Sequence, residues 1–194
     1  MSNVSWAKRR FALENTNWVI VGLDSAYFAP ASGLYIDGSL GPGVGPQLQF
    51  LQQQVAKGKR VIVLTHHNGL EQDGSSTTGL WAEVMSGFPA GTGPAYWYWG
   101  HAHAGVVYQP KPSREGDPAS ILCRCCGHGA LPWGHATELD NNPNIVWYEN
   151  RPARDPDIPQ RVLNGFAVLY LDGGSIEEVF YDENGGGAWD SGGA

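Results

Sequence analysis

The sequence predicts a layered α/β fold (α+β in organisation) with more strand than helix. Three observations lead there. Several continuous apolar runs have the length of a single strand buried on both faces. One segment repeats its apolar residues at helical spacing. Near the end, two strand-like runs flank a pair of glycines, the pattern of a hairpin.

The elements follow in chain order. Segment 17–24 (Asn-Trp-Val-Ile-Val-Gly-Leu-Asp) is the first buried strand, and the Gly- and Pro-rich stretch 31–45 is a loop. A helix follows, with Pro46 suited to its first turn, Leu48, Leu51 and Val55 on one face, and Gly58 to close it. Arg60 to Thr65 is a second buried strand running directly into His66 and His67. Residues 68–79 are a polar loop, and Leu80 to Met85 a short helix. Ala95-Tyr96-Trp97-Tyr98-Trp99 is strongly β-prone and ends in Gly100-His101-Ala102-His103. Val106 to Tyr108 and Ser120 to Cys123 are further strand candidates. The chain then turns polar and Pro-rich around 134–160, apart from Ile145 to Tyr148. Phe166 to Leu171 and Ile176 to Tyr181 form the hairpin around Asp172-Gly173-Gly174-Ser175. One domain is expected over 1–183, followed by a Gly-rich tail, 184–194, that frays.

Composition narrows the function classes. A chain of 194 residues with 42% hydrophobic and 16% charged residues can bury a core and is not disordered. No apolar run approaches the roughly 20 residues of a membrane span, and no hydrophobic leader region opens the chain, so a cytoplasmic location is expected. The net charge of −7 repels phosphate backbones and argues against a nucleic-acid footprint. It leaves a small phosphorylated substrate open, because bound cations dominate the field inside a cleft. Cys123, Cys125 and Cys126 crowd into four positions, too close to pair with one another, and read as reduced thiols buried in a strand.

The histidines carry the chemistry. A strand end aims a ligand from a rigid base, and the neighbouring glycine lets the backbone approach an ion. In extended geometry His101 and His103 point to one side, whereas His66 and His67 point to opposite faces, so only one of that pair is a ligand. Neutral imidazole binds Zn, Mn or Fe. Val61-Ile62-Val63-Leu64-Thr65-His66-His67 and Gly100-His101-Ala102-His103 resemble the late motifs of the calcineurin-like metallophosphoesterases, which include purple acid phosphatases and cyclic-nucleotide phosphodiesterases. Trp18 to Ala26 resembles the family strand that precedes them, and Gln47-Leu48-Gln49-Phe50-Leu51 its following helix.

The resemblance implies a sandwich of mixed β-sheets flanked by helices and metal-assisted phosphoester hydrolysis. It places His66 and His101 on a second divalent ion (Mn, Fe or Zn) and His103 on a first. Beside the resemblance, position alone makes Asp24 either a support for a histidine or the cap of a turn, His67 a support from behind, and His128, in a glycine-bounded loop that could face the cleft, either a catalytic, substrate-contacting residue or a plain loop histidine. The family's earlier motifs, Asp-x-His, Gly-Asp-x-x-Asp and Gly-Asn-His-Asp/Glu, are absent from this chain. The resemblance therefore covers a C-terminal part only, with one ion or none bound by this chain alone and two in a complete member. An upstream half or another chain would supply the rest and cover exposed sheet surface. Two alternatives stand beside this reading: a mononuclear hydrolase with three histidines on one ion, and a degenerate module that binds a partner without catalysis.

Overall fold

The computed structural model describes residues 10–31, 37–129 and 135–192. Eleven strands and two helices account for its regular structure among these residues: β1 (Arg10–Glu14), β2 (Trp18–Leu23), α1 (Pro46–Val55), β3 (Arg60–Thr65), α2 (Gly79–Met85), β4 (Tyr96–Trp99), β5 (Gly105–Tyr108), β6 (Lys111–Pro112), β7 (Ala119–Cys126), β8 (Ile145–Tyr148), β9 (Gly165–Asp172), β10 (Ser175–Asp182) and β11 (Gly187–Asp190). Eight strands form one mixed sheet in the order β1-β2-β3-β4-β7-β5-β8, with β6 paired to β7, and β11-β10-β9 form a second, antiparallel sheet. The centre of the large sheet, β2-β3-β4-β7, is parallel. The layered α/β expectation is met, with two differences in detail: the second sheet is wholly antiparallel, and both helices cover the same face of the first.

Strand alternation explains why the central runs are apolar throughout. Val19 and Val21 of β2, Val61 and Val63 of β3, and Trp97 and Trp99 of β4 face the helices, packing with Leu51, Leu80 and Val84. The intervening Trp18, Ile62, Tyr96 and Tyr98 face the second sheet, against Ala167, Leu169, Leu171 and Ile176. Each such buried side chain contributes about 1.5–3 kcal/mol.

Polar contacts set how the second sheet sits. Arg124 on β7 donates through Nε to both carboxylate oxygens of Glu178 on β10, at 2.8 and 2.9 Å, and the Tyr98 hydroxyl donates to the same carboxylate. The β9–β10 turn is held at the other end, where the Trp18 indole donates to the Gly173 carbonyl at 3.0 Å and Arg60 to that of Gly174 at 2.6 Å.

Three strands fall where no strand was expected, the two-residue β6 among them. β1 forms the edge of the large sheet beside β2, and its Phe11 and Leu13 are 49% and 62% exposed. The Gly-rich segment expected to fray instead carries β11, because Trp189 packs edge-on against Phe180 and the strand pairs with β10. The outer face of β9 exposes Phe166 and Tyr170. No helix among the described residues is long and apolar enough to cross a membrane.

Candidate metal site

The parallel register of β3 and β4 builds the site. Their last pair is Thr65 with Trp99. One step further the Gly100 N–H donates to the His66 carbonyl at 3.0 Å, and one more step sets His67 beside His101. Nitrogen atoms of His66, His67 and His101 all lie within 4.8 Å of one another, and no other cluster of this kind exists among the described residues. His101 Nδ1 and His66 Nε2 are 3.2 Å apart. Two ligand nitrogens on one tetrahedral ion, each about 2.0–2.1 Å from it, stand at a closely similar separation, so this pair is spaced as a metal requires and His67 lies close enough to be drawn in as a third donor.

This trio exchanges one expected ligand for another. His67 joins the cluster because the chain bends at 66–67 once β3 has ended, so strict alternation no longer sends neighbours to opposite faces. His103 stands outside it for the same reason. Residues 101–104 are a bend, not an extended strand, and the i, i+2 rule does not carry His103 to the side of His101. His103 remains near enough for its charge to act on both His66 and His101.

The loop that presents His101 is strained and held from beneath. His101 has φ of 33°, a left-handed conformation that costs a non-glycine residue about 1–2 kcal/mol. The buried Cys125 thiol lies 3.2 Å from the Gly100 carbonyl and 3.1 Å from that of Ala102, donating toward them. Gly127 packs flat under the same two carbonyls, where a Cβ would come within 2.1 Å of the Ala102 oxygen. The cysteines are thus packing and hydrogen-bonding groups. Burial pushes the thiols of Cys123 and Cys125 up to about 12, which removes thiolate chemistry at neutral pH.

His67 is fixed from behind and is 2% exposed. Its backbone N–H donates to Ser25 Oγ at 3.0 Å, and its Nδ1 meets the same oxygen at 3.0 Å. When Nδ1–H donates to Ser25, the Nε2 lone pair is left for a metal. The Trp97 indole donates to Thr65 Oγ1, which donates to the His67 carbonyl at 2.8 Å. Gly38 closes over the ring so tightly that a Cβ there would sit 2.5 Å from that of His67. Burial, and then the charge of neighbouring histidines, holds the pKa values of His66 and His101 below the ordinary range, which keeps both imidazoles neutral and able to ligate.

Two expected site residues serve elsewhere. Asp24 does not support a histidine: its Oδ1 accepts the N–H groups of Ala26 and Tyr27, each at 3.0 Å, and so caps a turn. The neighbouring Ser25 takes the supporting position instead. His128 does not face a cleft. It is 2% exposed, its ring lies 6.2 Å from that of Phe180, and Gly105 and Gly165 press against it. The room for the ring comes from Gly105 and Gly165, distant in sequence, and not from the flanking Gly127 and Gly129. Residues 130–134 of that loop lie outside the described residues.

One carboxylate that no motif indicated does reach the site. Asp37 acts on His101, raising its pKa against the other influences, and the two residues line a cavity of about 60 Å³ with Asn68 and Thr78. Asn68 Oδ1 is buried with no hydrogen-bond partner among the described residues. The pairing needed for Ser25 was latent in spacing: β2 and β3 pair at a constant offset, and extending it past Gly22–Leu64 sets Ser25 against His67.

No protein-family model matches the chain, and no curated protein matches it. Solved structures do share its fold. The GAP50 anchor of the inner membrane complex of Plasmodium superposes on 93% of this chain with a TM-score of 0.54 at 12% identity. The purple acid phosphatase PPD1 from yellow lupin (Lupinus luteus) seeds does so over 93% of the chain with a TM-score of 0.54 at 10% identity. The chain spans 51% of the first protein's length and 32% of the second's. At these identities the similarity is one of fold. It places this chain among proteins built on a fold that a metallophosphoesterase also uses.

Proposed function

We propose that this chain is a metal-dependent phosphoester hydrolase whose site holds one divalent ion on His66, His67 and His101. The observation that carries the reading is the convergence of three imidazoles at the ends of two parallel strands, on a fold that a purple acid phosphatase shares. A divalent ion bound there would lower the pKa of a water and offset charge on phosphoryl oxygens. The chain's own residues do the rest. Ser25 meets Nδ1 of His67, Cys125 and Gly127 hold the His101 loop in its strained form, and Asp37 lines the small cavity beside His101. His66, the most exposed of the three, leaves the site open to substrate.

The test is hydrolysis of bis(4-nitrophenyl) phosphate by the metal-loaded chain. Activity lost in His67→Ala supports the reading, and activity equal in the two proteins refutes it. Full two-metal chemistry would need further ligands, since the trio supplies a single centre. A second reading, a partner-binding module without turnover, is favoured by the likeness to an anchor protein and by exposed Phe166 and Tyr170. Metal-independent folding with no hydrolysis under any metal would select it.

A further inference from the structure

A second concavity lies away from the histidines. It is a groove of about 660 Å³ between α2, the 74–77 segment and the loop after β6, sharing only Leu70 with the small cavity beside His101. We infer that this groove binds a small molecule with a flat apolar body and one anionic head group.

The floor is apolar. Leu70, Trp81, Met85 and Pro112 line it, and Trp81 is locked in place by stacking on Trp97 at 5.3 Å and by an indole bond to the Ser113 carbonyl at 3.1 Å. Gly74 on the lining has φ of 69° and no room for a Cβ, which would lie 2.9 Å from the Tyr108 ring behind it. The size and lining match those of small-ligand sites, which bury an apolar body and orient it by a few polar groups.

The rim supplies the charge. Lys111 Nζ is fixed at 2.7 Å from the Gly74 carbonyl and 3.3 Å from Asn144 Oδ1, both uncharged acceptors. Arg114 forms no ion pair among the described residues. In a chain of net charge −7, these two cations at one groove have no bonded carboxylate among the described residues, and Glu115 on the lining and Asp73 beside Lys111 only partly offset them. An anionic head would complete their bonding at little ordering cost to Lys111, which is already held.

The probe is 1-naphthoate, compared with its neutral analogue 1-naphthamide, by calorimetric titration of the full chain in metal-free buffer. Naphthoate should bind once per chain, and naphthamide about tenfold more weakly, as loss of one charge-assisted contact implies. Arg114→Ala should weaken naphthoate by a similar factor and leave naphthamide unchanged, while Ala82→Trp, filling the groove, should abolish both. Both positions are exposed, so neither change burdens the fold. Equal affinity for the two probes, no naphthoate binding by the wild-type chain, or undiminished binding by Ala82→Trp would each overturn the inference.

Discussion

Replacing Gly127 by Ala tests whether the His101 loop is held from beneath. The added Cβ would sit 2.1 Å from the Ala102 oxygen and 2.6 Å from that of Gly100, both backbone atoms that cannot rotate aside. Relief requires the loop to move by about 1 Å, since close-packed interiors tolerate no such overlap. That movement separates His101 Nδ1 from His66 Nε2, now 3.2 Å apart, and opens the Cys125 contacts. Overpacking of this kind costs about 1–3 kcal/mol of stability, and loss of a ligand's support costs about 10–100-fold in metal affinity. Urea unfolding reads the first quantity, and competition with a chromophoric zinc chelator the second. Gly129→Ala is the control, because among the described residues its Cβ would meet only the Gly165 oxygen, at an ordinary 3.5 Å. Wild-type zinc affinity in Gly127→Ala, with stability like that of Gly129→Ala, would refute the reasoning.

Other consequences can be checked in the same protein. Ser25→Ala should leave the chain folded yet weaken zinc binding by about 10–100-fold, measured by chelator competition, since His67 loses the partner of its Nδ1. His66, His101 and His128 have pKa values below those of the unfolded chain, each chiefly through burial. The unfolded state therefore binds more protons below about pH 6.5, and stability should be level above that value and fall as the pH drops toward 5. Urea midpoints across this range test the sign, and greater stability on acidification would contradict it. Glu178→Gln leaves Arg124 buried without its counter-charge and should cost about 3–5 kcal/mol in urea unfolding.

The sequence revealed most where one physical pattern acted alone. β2, β3 and β4 were legible because strands covered on both faces must be apolar at every position, and the β9–β10 hairpin because two glycines permit the turn. β1 was not legible, since an edge strand with Phe11 and Leu13 exposed follows no burial pattern. β11 was obscured by its glycines, whose weak strand preference is overridden by pairing with β10.

The site divides in the same way. That His66 and His101 stand at strand ends as candidate metal-binding groups was readable from local pattern. The exchange of His103 for His67 was not, because it depends on which strands lie side by side and where each one ends. Ser25 and Asp37 entered for the same reason: their relation to the histidines is set by neighbouring segments, far apart in sequence. His128 shows the converse, since the glycines beside it in sequence suggest an open loop while Gly105 and Gly165, far away in the chain, make room for its buried ring.

Metal content per chain tests the central claim most directly. After reconstitution with zinc and removal of excess, elemental analysis should find about one ion per chain in the wild type, as a single tetrahedral centre requires. The same value should persist in His103→Ala and vanish in His67→Ala and His101→Ala. No bound zinc in the wild type, or zinc lost in His103→Ala and retained in His67→Ala, would contradict the account.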